Sequence, residues 1–369
     1  MEASMFRKSR ILALLVIFAL AATAVMAQAN ADLVAAAKKE GKVVVYSITS
    51  RISNAAAAFE KKYGIKVEAY NLKDGELIEK VTREVGGNIA GADFVISQDS
   101  GRVYGQLIST GYLVNYVPDS MKNVIPKQYQ DPLVFQFINK VFIFNSEKTQ
   151  QPVIKNVWEV TEPKWKGLVQ FKDPKLEGVN QNFLTMLTSP EWSAKLEKAY
   201  QDLYGRKLVL TTKNAGYEWI KRFFGNGLLL GNSDTTIAEN VGIKGQPATT
   251  MGLFVYSKTR YDAKKNLALL PMTEVNPFAG FLYPAFLHLT KNVKNKNAAK
   301  LFIEFLLTAE GFEPWGKDVG AYSSNPNIPV DKDDHPMSFW EPRLIVEDPK
   351  FLFENRADVE EFVNTVASN

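Results

Sequence analysis

The sequence predicts an α/β protein of two doubly wound lobes, the second inserted into the first. Three observations carry this. At 369 residues the chain exceeds what one ordinary core encloses and suits two bodies of roughly 150 residues each. Hydrophobic residues make up 46% and charged residues 23%, the balance of a packed protein and not of a disordered one. Short apolar runs alternate with stretches of helical period, first near the amino terminus and again after the middle of the chain.

The elements follow in order. Asp32 to Glu40 opens as a short helix, and Lys42-Val43-Val44-Val45-Tyr46 is a continuous apolar run, the mark of a strand buried on both faces. From Ser53 the period changes: Ala56, Phe59 and Tyr63 share one helical face, and Gly64 ends it. Ile65 to Tyr70 alternates as a second strand, so the opening is β-α-β. A helix over about Asp74–Val85, a strand at Ala92–Ile96 and a helix through Val103–Ser109 continue the pattern. In such sheets ligands bind beyond the carboxyl ends of the strands, which singles out the loops Ser47–Ser53 and Ser97–Arg102.

Val134–Phe137 and Val141–Asn145 read as two further strands. A second round then runs through strand Leu168–Phe171, loop Lys172–Asn180, a helix from Gln181, helices Ser193–Tyr204 and Ala215–Phe224, and the short run Leu228–Leu230. Helix Thr235–Val241 and strand Ala248–Val255 complete it. Phe278 to Leu289 crosses back, and Ala298–Leu307 is an amphipathic helix burying Phe302, Ile303, Phe305 and Leu306. The remaining Pro-, Asp- and aromatic-rich segment reads as an ordered wrap.

The first 31 residues are set apart. Arg7, Lys8 and Arg10 precede the apolar run Ile11–Met26, which ends in small residues, the pattern of a secretory signal peptide. Cleavage after Ala31 is expected; Ala29 and Ala27 are the alternatives. The run is short of the ~20 residues a spanning helix needs, which disfavours an uncleaved anchor. With no cysteine there is no disulfide, no thiolate chemistry and no lipidated anchor. The expected location is the periplasm, with the mature chain free of the membrane. The net charge is +4, part of it from the three basic residues of the leader. So small a balance makes no electrostatic case for nucleic acid or an acidic membrane surface.

Four stretches carry a family likeness: Val43-Val44-Val45-Tyr46-Ser47; Trp158-Glu159 through Pro163-Lys164-Trp165-Lys166-Gly167 to Asp173-Pro174; Asn297 to Leu307; and Ala321-Tyr322-Ser323-Ser324-Asn325. In this order, behind a leader, the chain resembles bacterial extracellular solute-binding proteins of the ferric-ion, phosphonate and sugar-phosphate group. The resemblance implies a type II periplasmic binding fold with a two-strand hinge, a ligand cleft that closes on binding, and an ABC permease as membrane partner. It places lobe 1 at 32–137 and 276–369 and lobe 2 at 138–275, in a chain expected as a monomer.

Ferric members of that group are expected to hold iron through adjacent tyrosines, since hard Fe(III) suits phenolate oxygen. No adjacent tyrosine pair occurs, the corresponding strand reads Ala248-Thr249-Thr250-Met251, and the two histidines, His288 and His335, lie far from the first loop. Tyr46, Tyr256 and Asp99 remain as an alternative oxygen cage.

A small anion fits better: a phosphonate, sugar phosphate or carboxylate. Ser47, Thr49, Ser50 and Arg51 offer hydroxyls, a guanidinium and a helix start. Asn180, Gln181 and Asn182 repeat the arrangement in lobe 2, and Gln98, Asp99, Ser233, Asp234, Thr249 and Thr250 are the expected specificity contacts. The competing interpretation makes Ser53, Asn54, Asn180 and Asp234 plain helix caps; Phe278, Phe281 and Tyr283 are expected to be packing residues and not ligand stackers.

No G-x-S-x-G elbow, P-loop, G-x-G-x-x-G or zinc-type histidine spacing appears. The chain is therefore expected to bind without catalysis, and no cofactor is expected. A sensor that docks on a membrane receptor is the rival role.

Overall fold

The computed structural model describes residues 31–367, and the leader call therefore lies outside the described residues, apart from Ala31 itself. Helix α1 spans residues 31–40, followed by β1 (Lys42–Ser47), α2 (Ile52–Tyr63), β2 (Lys66–Asn71), α3 (Asp74–Gly86) and β3 (Phe94–Ser97). A short α4 (Ser100–Arg102) runs into a π-helical turn at Val103–Ile108, then β4 (Leu113–Asn115) and the long β5 (Val134–Asn145). Next come β6 (Val169–Lys172), α5 (Gly178–Leu187), α6 (Pro190–Tyr204), α7 (Ala215–Gly225), β7 (Leu229–Gly231), α8 (Asp234–Gly242), β8 (Met251–Val255), α9 (Tyr261–Lys265) and β9 (Leu269–Pro271). The chain closes with β10 (Gly280–Thr290), α10 (Lys296–Leu306), α11 (Ala309–Gly316), β11 (Ala321–Ser323), α12 (Met337–Trp340), β12 (Leu344–Val346) and α13 (Pro349–Ala367).

The strands join in the order β2-β1-β3-β10-β5-β8-β6-β7, with β4, β9, β11 and β12 attached to the two long strands. β1 pairs in parallel with β2 and β3, and β6 in parallel with β7 and β8. Between these two parallel groups stand β5 and β10, antiparallel to each other. β10 reaches β3 through Phe286–Leu289, and β5 reaches β8 through Lys140–Phe144. Each long strand thus belongs to both halves of the sheet.

Alternation along the strands sends side chains to two faces, and both are covered. Val43 and Val45 of β1 and Phe94 of β3 share one core with Phe59 of α2 and Phe302 and Phe305 of α10, where Phe59 stacks on Phe302 at 4.4 Å. Tyr46 and Val95 belong to the other core, with Leu77, Ile78 and Val81 of α3. In the second half Phe171 of β6 meets Phe183 of α5 and Phe223 of α7, at 6.1 and 5.9 Å. Its neighbour Gln170 turns the other way and accepts from Asn240 of α8. Helices on both sides of each parallel group make the mixed α/β fold doubly wound.

Most expected elements form, and the differences have physical causes. The two strands foreseen around Ile138-Asn139-Lys140 are one, because the ladder continues through those residues to β10 and the buried Lys140 is neutralised by neighbours. Helix α2 starts at Ile52, so Arg51 and not Ser53 or Asn54 occupies the cap position; Gly64 ends it in the left-handed conformation (φ 70°), as its position suggests. α5 begins three residues before Gln181, and α6 begins at Pro190 behind a Ser189 cap. β8 starts only at Met251, which leaves Thr249 and Thr250 in the preceding loop. The wrap after residue 340 contains a helix, α13, that composition alone did not suggest.

His288 on β10 is fully buried, and among the described residues neither ring nitrogen has a hydrogen-bond partner. Burial pushes its pKa down to about 4 from 6.5. The unfolded chain therefore binds the extra proton first, and stability falls as pH drops from 6.5 towards 4, by about 3 kcal/mol. In urea titrations across that range, His288→Leu is expected to remove this component of the acid decline. It should also raise stability at pH 7 by about 1–3 kcal/mol, since two stranded polar atoms are lost.

Candidate functional site

A cavity of about 700 Å³ lies where the parallel groups face each other. Its walls come from the carboxyl ends of strands: residues 48–51 after β1, Gln98 after β3, Lys172 ending β6, Ser233 after β7 and Val255 ending β8. The long strands add Gln136, Ile138 and Tyr283. Peptide units at these ends leave N–H groups and helix starts open towards the space, which is why α/β sheets bind ligands there.

The floor is an ion-pair network built around Lys140, whose side chain is 0% exposed. Its ammonium donates to Glu177, to Asn180 Oδ1 at 2.8 Å, and pairs with Asp234 at 3.2 Å. Lys172 lies 3.0 Å from Glu177 and 3.6 Å from Asp234. Burial alone would raise the Asp234 pKa, yet the charges of Lys140 and Lys172, with a hydrogen bond from the Val255 amide, hold it below the ordinary value. Burial depresses Lys172, but Glu177 and Asp234 outweigh it and raise the net value. Two cations and two carboxylates balance here.

The opposite end is unbalanced. Arg51, Lys258 and Arg260 all line the cavity. Arg51 donates to Asp318 and to the carbonyls of Pro314 (3.1 Å) and Trp315 (3.3 Å), and Arg260 Nη1 lies 3.1 Å from Asp318. Lys258 donates to Thr235 Oγ1 at 3.0 Å, and among the described residues no carboxylate lies within 4.0 Å of its ammonium. Burial lowers its pKa, with the charges of Arg260 and Arg51 pushing the same way and Tyr261 and Asp234 opposing them without reversing the shift. Two arginines thus share one carboxylate, with Lys258 on the same wall, in a recess with hydroxyls from Thr49, Ser50, Ser257 and Tyr261 around it.

Of the thirteen residues expected from sequence, the cavity brings together Thr49, Ser50, Arg51, Gln98, Ser233 and Asp234. Ser233 caps α8 by accepting from the Thr236 amide, while Asp234 faces the lysines instead of capping. The other seven stand apart from the wall. Ser47 is buried beneath it, bonded to the Thr49 backbone. Asn180 supports Lys140 and donates to the Lys172 carbonyl, and Gln181 is buried in α5. Asp99 and Asn182 accept from Arg356 of α13, and Asn182 donates to Glu347. Thr249 precedes β8 at its amino end, and Thr250 donates to Val241 and Gln246. Of the aromatics read as packing, Phe281 stacks on Phe183 at 4.7 Å, whereas Tyr283 faces the cavity.

The tyrosine cage has other engagements: Tyr46 donates to Glu84 at 3.1 Å, Tyr256 packs on Trp340, and Asp99 is held by Arg356. Among the described residues no group of three or more His, Cys, Asp or Glu is placed to hold a metal. None of the described helices is long and apolar enough to cross a membrane.

Sequence reasoning missed Lys172, Glu177, Lys258, Arg260 and Tyr261. The rule that points to strand carboxyl ends finds them when applied to β6 and β8; the expectation had instead fallen on Thr249-Thr250, at the amino end of β8.

Gly178 is required by the close approach of the two halves: a Cβ there would stand 1.9 Å from Asp99 Oδ2. Lys140 has no solvent to fall back on, so the network above it is structural as well as local. Lys140→Met, which leaves two buried carboxylates to Lys172 alone, is expected to cost about 3–5 kcal/mol in urea denaturation at pH 7. Lys258→Met, which removes a cation in excess, should leave stability unchanged or raise it.

Comparison with known proteins places these features in context. The family model described as bacterial extracellular solute-binding protein matches residues 54–338. Among solved structures the fold is similar to iron-bound HitA from Pseudomonas aeruginosa, with a TM-score of 0.68 and 18% identity over 88% of this chain and 99% of that one. It is similar to the periplasmic binding protein AfuA from Actinobacillus pleuropneumoniae with fructose-6-phosphate bound, at TM-score 0.66 and 19% identity, covering 89% and 98%. A substrate-binding protein of an ABC transporter from Agrobacterium tumefaciens matches at TM-score 0.66 and 14% identity, covering 88% and 94%. Among curated proteins, none matches the sequence.

Proposed function

Since the chain belongs to the bacterial extracellular solute-binding proteins, we propose that it captures a small anionic solute, a phosphonate, sugar phosphate or organic carboxylate, for an ABC permease. The observation that carries this reading is the surplus of cations at one end of the cavity, where Lys258 has no carboxylate of its own beside Arg51 and Arg260. A charge desolvated in that way is stabilised by a ligand of opposite sign, and a bare ferric ion would add to the repulsion. The likeness to AfuA, seen with fructose-6-phosphate, and to a substrate-binding protein of an ABC transporter supports the same class and partner.

Capture works by differential affinity. Lobe 1, residues 32–137 and 276–369, contributes Thr49, Ser50, Arg51 and Gln98. Lobe 2, residues 138–275, contributes Lys172, Asp234, Lys258 and Arg260. A solute that touches both sets binds the closed form better than the open one and shifts the population towards it, with β5 and β10 as the hinge. The anionic group sits among the cations, and hydroxyls on the rest of the solute meet Gln98, Asn71 and the Glu177–Asp234 floor. The solute leaves chemically unchanged, and the protein works as a periplasmic monomer.

Thermal unfolding in the presence of glucose 6-phosphate, 2-aminoethylphosphonate, sulfate, citrate and ferric chloride tests this. Stabilisation by at least one anion is the expected outcome, with Lys258→Met weakening that anion by about 1.5–3 kcal/mol, the scale of a charge-assisted hydrogen bond. Stabilisation by ferric chloride alone, with a visible charge-transfer band, overturns the anion reading.

A further inference from the structure

The cation cluster already holds a carboxylate from the chain itself. Asp318 follows α11, which packs on α2 in the half built on β1–β3, whereas Arg260 follows β8 in the other half. Its carboxylate accepts from Arg51 on its own side and forms an ion pair at 3.1 Å with Arg260 Nη1 on the opposite side, a nitrogen that also donates to the Ser257 carbonyl. Arg51 is also tied to the carbonyls of Pro314 and Trp315 at the end of α11, so it stays with Asp318. Arg260 alone brings the second half to the pair. The Asp318 side chain is 13% exposed, a position where a carboxylate and two guanidiniums are only weakly screened.

We propose that Asp318 is a resident competitor for the anion site, tying the two halves together across the cavity and setting how much negative charge a solute needs to displace it from Arg260. The displacement rests on the anion reading above; the tie rests on the Arg51–Asp318–Arg260 geometry alone. A monocarboxylate exchanges one carboxylate for another and gains little. A phosphate or phosphonate brings a second charge and a third acceptor oxygen, enough to engage Arg260 and Lys258 together. Asp318 is then a specificity-determining residue that acts by opposing every solute and is overcome by the more highly charged ones.

Two measurements on the mature protein test this: small-angle scattering without solute at low and high salt, and calorimetric titration with glucose 6-phosphate and with acetate. Asp318→Asn and Arg260→Met are both expected to increase the radius of gyration of the solute-free protein, by more than high salt does for the wild type. Asp318→Asn is expected to bind glucose 6-phosphate roughly tenfold more tightly, within the usual range of coupling between sites, and to gain more for acetate, narrowing the preference. Scattering from Asp318→Asn identical to wild type removes the tie. Weaker glucose 6-phosphate binding in Asp318→Asn also overturns the proposal, because it makes Asp318 a support for the arginines. If no anion binds either protein, the anion reading fails, and the scattering comparison alone decides whether the tie exists.

Discussion

A lysine with no access to water dictates much of this architecture. Lys140 sits in the middle of β5, where that strand passes from one half of the sheet to the other, and its ammonium is fully enclosed. Left alone, such a charge would cost several kcal/mol. Glu177, Asp234 and Asn180 therefore converge on it from the loop after β6, the start of α8 and the first turn of α5. Lys172 enters as the second cation the two carboxylates require. The floor of the cavity is the upper surface of this arrangement. Its polarity thus follows from the groups that neutralise the buried Lys140 charge.

Above that floor the charges fall into two unlike regions. Near Lys140 the signs cancel, so the surface offers hydrogen bonds without a net field. Around Lys258 they do not cancel, and burial sharpens the imbalance because solvent cannot screen it. Tyr283, held strongly protonated by burial and by Glu177 and Asp234 nearby, adds a neutral donor between the regions.

The fold was largely legible because it is written in short-range patterns. The Val43–Val45 run, the helical face of Ala56 and Phe59, and Gly64 at its end each depend on neighbours within a few residues. Charge pairing between distant segments leaves no such trace. Nothing local to Lys140 shows that Glu177 and Asp234 will meet it, so the polar stretch Asn139-Lys140 read as a gap between strands. The loop after β1 was found because a β-α-β start announces its carboxyl end. Lys258 and Arg260 escaped because the contact from this strand was sought at Thr249-Thr250, where the resemblance placed the tyrosines of ferric members, although its carboxyl end at Val255 was drawn where β8 ends. Asn180, Asn182 and Asp99 are polar residues near helix starts, as a ligand contact would be, yet they are consumed by Lys140 and Arg356.

Helix α13 bears on both halves at once. Phe353 packs against Tyr104, Arg356 joins Asp99 to Asn182, and Phe362 meets Tyr217 of α7 at 4.9 Å. One helix thus packs on elements from both ends of the sheet, so neither end is bounded by its own segment of chain alone.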